Sequence, residues 1–262
     1  MLNEHSRLSI AQIVFYSPAV LAAIALLFLR KAIRALPLFP WIVLLIFTLV
    51  RLVGGIVVIL YENDPSSTGL LIATLILLNI GVFPCIAATI GLINIITYVD
   101  FRENKILTKT IVCSRLLLLA GVALLVTGGS LQGDDSPDDQ ATGTKLVRIG
   151  YCIVTVFVAC LFSFQLFFWS RRSQLSRTSF FVLRSASIAM PFFVVRLTYA
   201  FLSIYHQDQT WNSLTGPVVP FILMALLMEY CVVLIYLYTG FKVRFPEERA
   251  HESADRPIEL KS

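Results

Sequence analysis

Charge is what this sequence has least of. Only 14% of its 262 residues are Asp, Glu, Lys or Arg, against 57% hydrophobic, and the mean hydropathy is +0.81. A soluble domain has about a quarter of its residues charged, so that class is excluded. Cysteine is missing from every connecting segment: Cys85, Cys113, Cys152, Cys160 and Cys231 all lie inside apolar stretches. No disulfide framework and no zinc-type spacing is therefore present, and each thiol reads as a small apolar residue. There is no Asn-X-Ser/Thr acceptor, no lipidation signal at Glu259-Leu260-Lys261-Ser262, no phosphate loop and no Ser-His-Asp order. His206 has no second ligand nearby, so neither a metal nor a cofactor is expected.

What the chain has instead is long apolar runs. Seven of them, over 9–29, 40–61, 69–97, 108–128, 146–169, 180–204 and 217–241, are each about long enough to cross a hydrocarbon core about 30 Å thick. Lipid offers the backbone no hydrogen-bond partner, so such runs must be helices despite their Ile, Val and Thr content. The expected fold is all-α, a seven-transmembrane helix bundle. Residues 1–8 form a short N-terminal segment, 9–241 the membrane domain, and 242–262 a charged, Pro-containing tail expected to be disordered. The first run has little positive charge before it and no small-residue cleavage site, so it reads as a retained span rather than a signal peptide.

Lys and Arg alternate between the connecting segments. Arg30, Lys31 and Arg34 come after the first span, Arg102, Lys105 and Lys109 after the third, and Arg171, Arg172 and Arg177 after the fifth. The tail holds Lys242, Arg244, Arg249, Arg256 and Lys261. Segments 62–68 and 206–215 contain neither residue, and the fourth connection has only Lys145 and Arg148 at its end. This pattern predicts an N-terminus outside or luminal and a C-terminus in the cytoplasm. It also explains the net charge of +5 without nucleic acid as a partner. Trp211, beside His206, suits an aromatic belt at the outer interface.

An internal echo accompanies the alternation. Arg51-Leu52 is followed by Tyr61, Asp64 and Thr68-Gly69, and Arg196-Leu197 by Tyr205, Asp208 and Thr215-Gly216. It predicts a parallel repeat of three helices, a linker helix and three more. Gly128–Thr144, rich in Gly and Asp, is expected to be a flexible outer loop. Within it Asp134-Asp135-Ser136-Pro137-Asp138-Asp139 has the lettering of a magnesium-diphosphate motif, but among Gly and Pro it reads as a solvated acidic loop.

The residues that could carry chemistry are the charges at depth. Arg51 and Glu229 fall near the middle of their spans, and Arg196 two-thirds of the way along its own. A charge at the centre of a membrane helix costs about 2.5–3.5 kcal/mol, so these side chains should face the bundle and seek partners. Two arginines against one carboxylate leave a positive excess that suits an anionic or carbonyl-bearing group. The alternative is an ion pair that merely fixes helix register. Gln12 and Tyr16, four residues apart on one helical face, and Asn79 are further candidates for ligand contact. Together with Asn94 and Gln165 they could equally be interhelical hydrogen-bond links. Arg115 and Arg184 lie near span ends, where long stems reach headgroups. Pro18, Pro84 and Pro191 each remove a backbone donor and are expected to kink their spans.

Four segments carry a resemblance. Leu8-Ser9, Gln12, Tyr16 and Pro18 come first, then Phe47, Arg51-Leu52 and Gly55, then Ile80-Gly81 and Pro84, and last Met228-Glu229-Tyr230. With these the chain resembles, over about residues 8–241, a family of fungal seven-span integral membrane proteins without assigned function. Some of these lie near secondary-metabolite genes. The resemblance implies a fungal origin and the seven-helix topology, and no activity.

Two function classes fit these residues. One is a multi-pass protein that binds or transports a lipophilic small molecule, oriented by Arg51, Arg196 and Glu229, with membrane lipids as its surroundings; a receptor belongs here by topology. The other is a membrane enzyme of terpene cyclase or isomerase type with Glu229 as general acid. Such cyclases usually present two acidic residues, and only Glu229 is deep here. A scaffold acting through basic loops is the third reading. Geometry separates the first two: a Glu229 within about 4 Å of an arginine fits a pair or binding site, and a free Glu229 over an apolar cavity fits acid chemistry.

Overall fold

Apolar segments with no water to bond to satisfy their own backbone, and the described residues of the long apolar runs are helical. The computed structural model describes residues 4–32, 37–80, 82–101, 105–133, 136–205 and 216–243. The helices are α1 (Glu4–Ala32), α2 (Phe39–Asn63), α3 (Thr68–Ile80), α4 (Val82–Asp100), α5 (Lys105–Gln132) and α6 (Pro137–Ser170). After these come α7 (Arg177–Tyr205), α8 (Val218–Phe221) and α9 (Leu227–Lys242), with a π-helical turn, Ile222–Leu226, joining the last two. Among the described residues seven helices are long and apolar enough to cross a membrane. Their outward faces carry bare apolar side chains: Val14, Leu21, Phe28 and Leu119 are 62–70% exposed. A surface this apolar is stable only against hydrocarbon. The protein is an integral, multi-pass membrane protein.

The third membrane crossing is the hub. About 72% of the apolar window of α4 is buried, against 28% for α5, because α2, α5, α7 and α9 all pack on it. Small residues make this possible. A methyl on Gly91 would lie 2.7 Å from Pro40 Cβ, so α2 and α4 touch where only hydrogen fits. A hydrogen bond of 2.6 Å between the Thr89 and Tyr236 hydroxyls ties α4 to α9.

One end of the bundle gathers the basic residues. Ser176 donates from N and Oγ to Asp100 Oδ2 at 3.1 and 3.3 Å, joining the start of α7 to the end of α4. The Arg115 guanidinium lies 4.1 Å from the Phe39 ring centre, joining α5 to α2. Arg30 donates to the carbonyls of Gly240 and Val243, joining the ends of α1 and α9. Sequence position made Arg30 an orientation charge in a connecting segment. It is instead 2% exposed and caps the C-terminus of α9, where carbonyls lack intrahelical donors. The opposite end is the α5–α6 hairpin.

The run 69–97 is helical on both sides of position 81, as α3 and α4, and Pro84, which brings no N–H to the ladder, lies within α4. The described residues of Gly128–Thr144 do not form the expected flexible loop, for α5 continues to Gln132 and α6 begins at Pro137. Its glycines serve close packing: a methyl on Gly143 would meet the Gly128 carbonyl and Leu131, and one on Gly128 would meet Val147. Asp138 and Asp139 occupy the first turn of α6, where the helix dipole favours carboxylates. Pro18 and Pro191 lie within unbroken α1 and α7. The stretch containing His206, Asp208 and Trp211, position 81 and the tail beyond Val243 lie outside the described residues.

Candidate functional site

Three helices each bring one charge to the same point. Arg51 of α2, Arg196 of α7 and Glu229 of α9 are 3%, 4% and 3% exposed. Glu229 Oε1 accepts from Arg51 Nη2 and, at 2.6 Å, from Arg196 Nε. One carboxylate oxygen thus serves two guanidinium groups, and the cluster keeps a formal charge of +1 inside the bundle. Aromatic faces line it. The Arg51 guanidinium is 5.9 Å from the Phe47 ring and that of Arg196 is 6.0 Å from the Tyr199 ring, distances at which ring quadrupoles attract cations. Tyr151 of α6 lies close enough to interact with Arg196.

Tyr16 and Gln12 approach from α1. Tyr16 is fully buried, edge-on to Phe47 and Tyr230 at centroid distances of 6.0 and 5.9 Å. Gln12 donates to the backbone carbonyl of Arg51 at 2.6 Å. That reach exists because Gly54 and Gly55 leave α2 without side chains where α1 crosses; a methyl on Gly55 would sit 3.1 Å from Ile13 Cγ1 and 3.2 Å from the Ser9 carbonyl. Gln12 is thus an α1–α2 link placed against the charged cluster.

The aim of Glu229 depends on the π turn just before it. Pro217 and Pro220 open this segment, and Pro220 brings no N–H to the helix. One residue more than an α-helix needs is absorbed at Ile222–Leu226. The side chains of α9 are thereby rotated by about 100°, one residue of an α-turn.

Three buried polar atoms of the site have no hydrogen-bond partner among the described residues: Glu229 Oε2, Arg51 Nε and the Tyr16 hydroxyl. Five further buried polar atoms elsewhere in the bundle share this state, among them Trp41 Nε1 and Thr74 Oγ1, but only here do three fall in one charged cluster. The arrangement holds positive charge, an acceptor and a hydroxyl within one aromatic-walled cluster.

Residues 2–245 match one family, described as a domain of unknown function (DUF7702). The chain belongs to it. No curated protein and no solved structure matches the chain. The DUF7702 match spans every helix of the bundle, so the charged cluster lies wholly inside the family's domain.

Sequence reasoning expected Arg51, Arg196 and Glu229 in this DUF7702 chain to share a site, and the bundle brings them together, with Gln12 and Tyr16 beside them. Asn79 is in α3, and its side chain lies outside the described residues. Gln165 makes an interhelical bond, 3.5 Å to the Ala186 carbonyl. Tyr151, Phe47 and Tyr199 were missed. Phe47 precedes Arg51 by four residues and Tyr199 comes three after Arg196, spacings that stack side chains on one helix face and could have marked them. Cavities also open elsewhere in the bundle, away from the residues of the charged cluster. One of about 650 Å³ lies between α6 and α7 beside Pro191, lined by apolar residues including Val158, Met190 and Val194.

Proposed function

We propose that this protein binds or transports a lipophilic small molecule bearing an anionic or carbonyl group, held in the bundle by Arg51 and Arg196. The observation that carries the reading is the unbalanced cluster. Two buried guanidinium groups share one carboxylate oxygen, and Glu229 Oε2, Arg51 Nε and the Tyr16 hydroxyl stay unmet. An anionic group would neutralise the excess charge, and an aromatic surround suits the apolar body of such a ligand. Glu229 then acts as the fixed counter-ion that keeps two arginines tolerable before the ligand arrives. Asn79, Gln12 and Tyr16 complete the proposed contacts. We place the basic end of the bundle, with the C-terminus, in the cytoplasm, on the alternation of Lys and Arg. A fungal secondary-metabolite setting, implied by the resemblance, would supply ligands of this class.

The enzyme reading asked for a free Glu229 over an apolar cavity. Glu229 faces two arginines instead, which favours binding over acid catalysis. The test is mass spectrometry of small molecules that co-purify with the full chain in detergent. Wild type is expected to retain an anionic or carbonyl-bearing lipophile that Arg51→Met and Arg196→Met lose by tenfold or more at equal yield of folded protein. Identical small-molecule content in all three proteins would overturn the reading.

A further inference from the structure

A second cluster of cations lies where α7 begins and α9 ends, and nothing in the interior site uses it. Arg177, Arg184 and Lys242 line one cavity of about 390 Å³, together with Phe180 and Phe181. No carboxylate is among the residues lining it. Asp100, the acid tied to this corner, spends Oδ2 on Ser176 N and Oγ. The carbonyls at the end of α9 are taken by Arg30. All three cations are solvent-exposed rather than paired in the core.

The cavity does not end at the charges. Phe181 and Arg184 also line a second cavity of about 490 Å³, whose other walls include Ile188, Leu234, Ile235 and Tyr238. It runs along the α7–α9 seam towards the middle of the bundle, since Ile188 is one helical turn beyond Arg184 and Leu234 two turns before Lys242. Ile188, Leu234 and Tyr238 are 49%, 48% and 56% exposed, so the seam is open to lipid. Tyr238 bridges the two parts, 5.9 Å from Lys242 Nζ and 6.2 Å from the Phe181 ring. A polar head and an apolar tail are thus offered continuous room, head at the bundle end and tail along the seam.

We infer that this corner binds an anionic glycerophospholipid from the leaflet at the basic end, its phosphate among Arg177, Arg184 and Lys242 and one acyl chain along Ile188, Leu234 and Ile235. Basic pockets between membrane helices select anionic headgroups, and each cation contributes a factor of about five in affinity, which is about 1 kcal/mol. The site is separate from the interior cluster, and neither depends on the other.

The experiment is native mass spectrometry of the full chain in detergent, titrated with dioleoylphosphatidylserine or dioleoylphosphatidylcholine. Wild type should hold phosphatidylserine at least tenfold more tightly than phosphatidylcholine. Arg184→Gln and Lys242→Gln should each remove about fivefold of that preference, and Arg184→Lys should keep most of it, which separates lost charge from lost fold. Leu234→Ser should weaken both lipids and leave the preference intact. Arg171→Gln and Arg172→Gln are basic residues of the same bundle end that line neither cavity, and they should change nothing. The inference fails if those two variants weaken binding as much as Arg184→Gln does, since the attraction would then be a general surface charge. It fails equally if inorganic phosphate displaces the bound lipid and Leu234→Ser has no effect, since the corner would then read a free anion. Arg51→Met is expected to leave lipid selection unchanged, so loss of the interior ligand and loss of this lipid are told apart.

Discussion

The interior and the rim of this bundle both hold clustered arginines, and they solve the charge problem in different ways. Inside, Arg51 and Arg196 share Glu229 Oε1, lean on aromatic rings and are at most 4% exposed. At the rim, Arg177, Arg184 and Lys242 line a cavity without a carboxylate and are open to their surroundings. The difference comes from depth. A cation at mid-membrane has no headgroup or water to compensate it, so the protein must build the counter-charge in. A cation at the end of a helix meets phosphates and water, so none is needed. One arginine type therefore serves as an internal fixture in one region and as a lipid-facing contact in the other.

The sharpest way to break this comparison is to remove the interior counter-charge. Glu229→Gln leaves two buried guanidinium groups facing each other, and breaking a buried pair this way costs about 3–5 kcal/mol. Folded yield and thermal stability in detergent should fall steeply. Replacing all three members together, Arg51→Met with Arg196→Met and Glu229→Met, should restore most of the stability, because buried ion clusters are commonly neutral against apolar residues of similar volume. Such a triple variant, folded but without the co-purifying ligand, would separate binding from architecture. If the triple variant is as unstable as Glu229→Gln, the cluster is needed for folding itself.

Arg30 stands between the two regions: buried like the interior arginines, yet placed at the basic end like the rim. Its compensation is the pair of carbonyls at Gly240 and Val243. Arg30→Ala leaves these groups without that donor and should cost about 1.5–3 kcal/mol, the range for a hydrogen bond to a charged group, read as a lowered unfolding midpoint. Because the loss is at the end of α9, lipid selection at Lys242 should shift with it. An unchanged lipid preference would show the rim to be held by α7 alone.

The bundle was legible because the membrane leaves a chain few options. Length and apolarity announced each span, and three isolated charges in apolar runs announced each other. What escaped was set by contacts that no single run contains. Gly128 and Gly143 look like loop residues until α5 and α6 are laid together, where they become the flat faces that let two helices touch. The π turn before Glu229 has only Pro217 and Pro220 as its trace, and neither fixes the rotation that aims the carboxylate. Arg30 carries the composition of an interface charge, and only the return of α9 to the end of α1 turns it into a cap.

Gly55 probes how closely α1 must approach the interior site. An added methyl would press on Ile13 Cγ1 at 3.1 Å and on the Ser9 carbonyl at 3.2 Å. Overpacking of this kind costs about 1–3 kcal/mol. Gly55→Ala should lower stability within that range and weaken ligand retention, since Gln12 and Tyr16 both ride on α1. The rim, built from α7 and α9, should keep its lipid preference. A variant that loses both would mean that the two regions share a framework more rigid than the comparison assumes.

Smaller effects on stability are expected at Gln12 and Tyr16, and Gln12→Leu decides between two roles for one side chain. Gln12 donates to the Arg51 carbonyl at 2.6 Å, but that carbonyl also lies within α2, where the helix supplies its own donor. Removing the amide therefore leaves no acceptor orphaned, and the loss should be about 1 kcal/mol, the net value of one hydrogen bond. A pure α1–α2 link predicts this slight drop in unfolding midpoint and a matching slight drop in ligand retention. A ligand contact predicts the same slight drop in midpoint together with a tenfold or greater loss of the co-purifying molecule. The proposal for the interior site requires the second outcome for at least one of Gln12→Leu and Tyr16→Phe. Tyr16→Phe removes only a hydroxyl that has no partner among the described residues, so it should not lower stability at all.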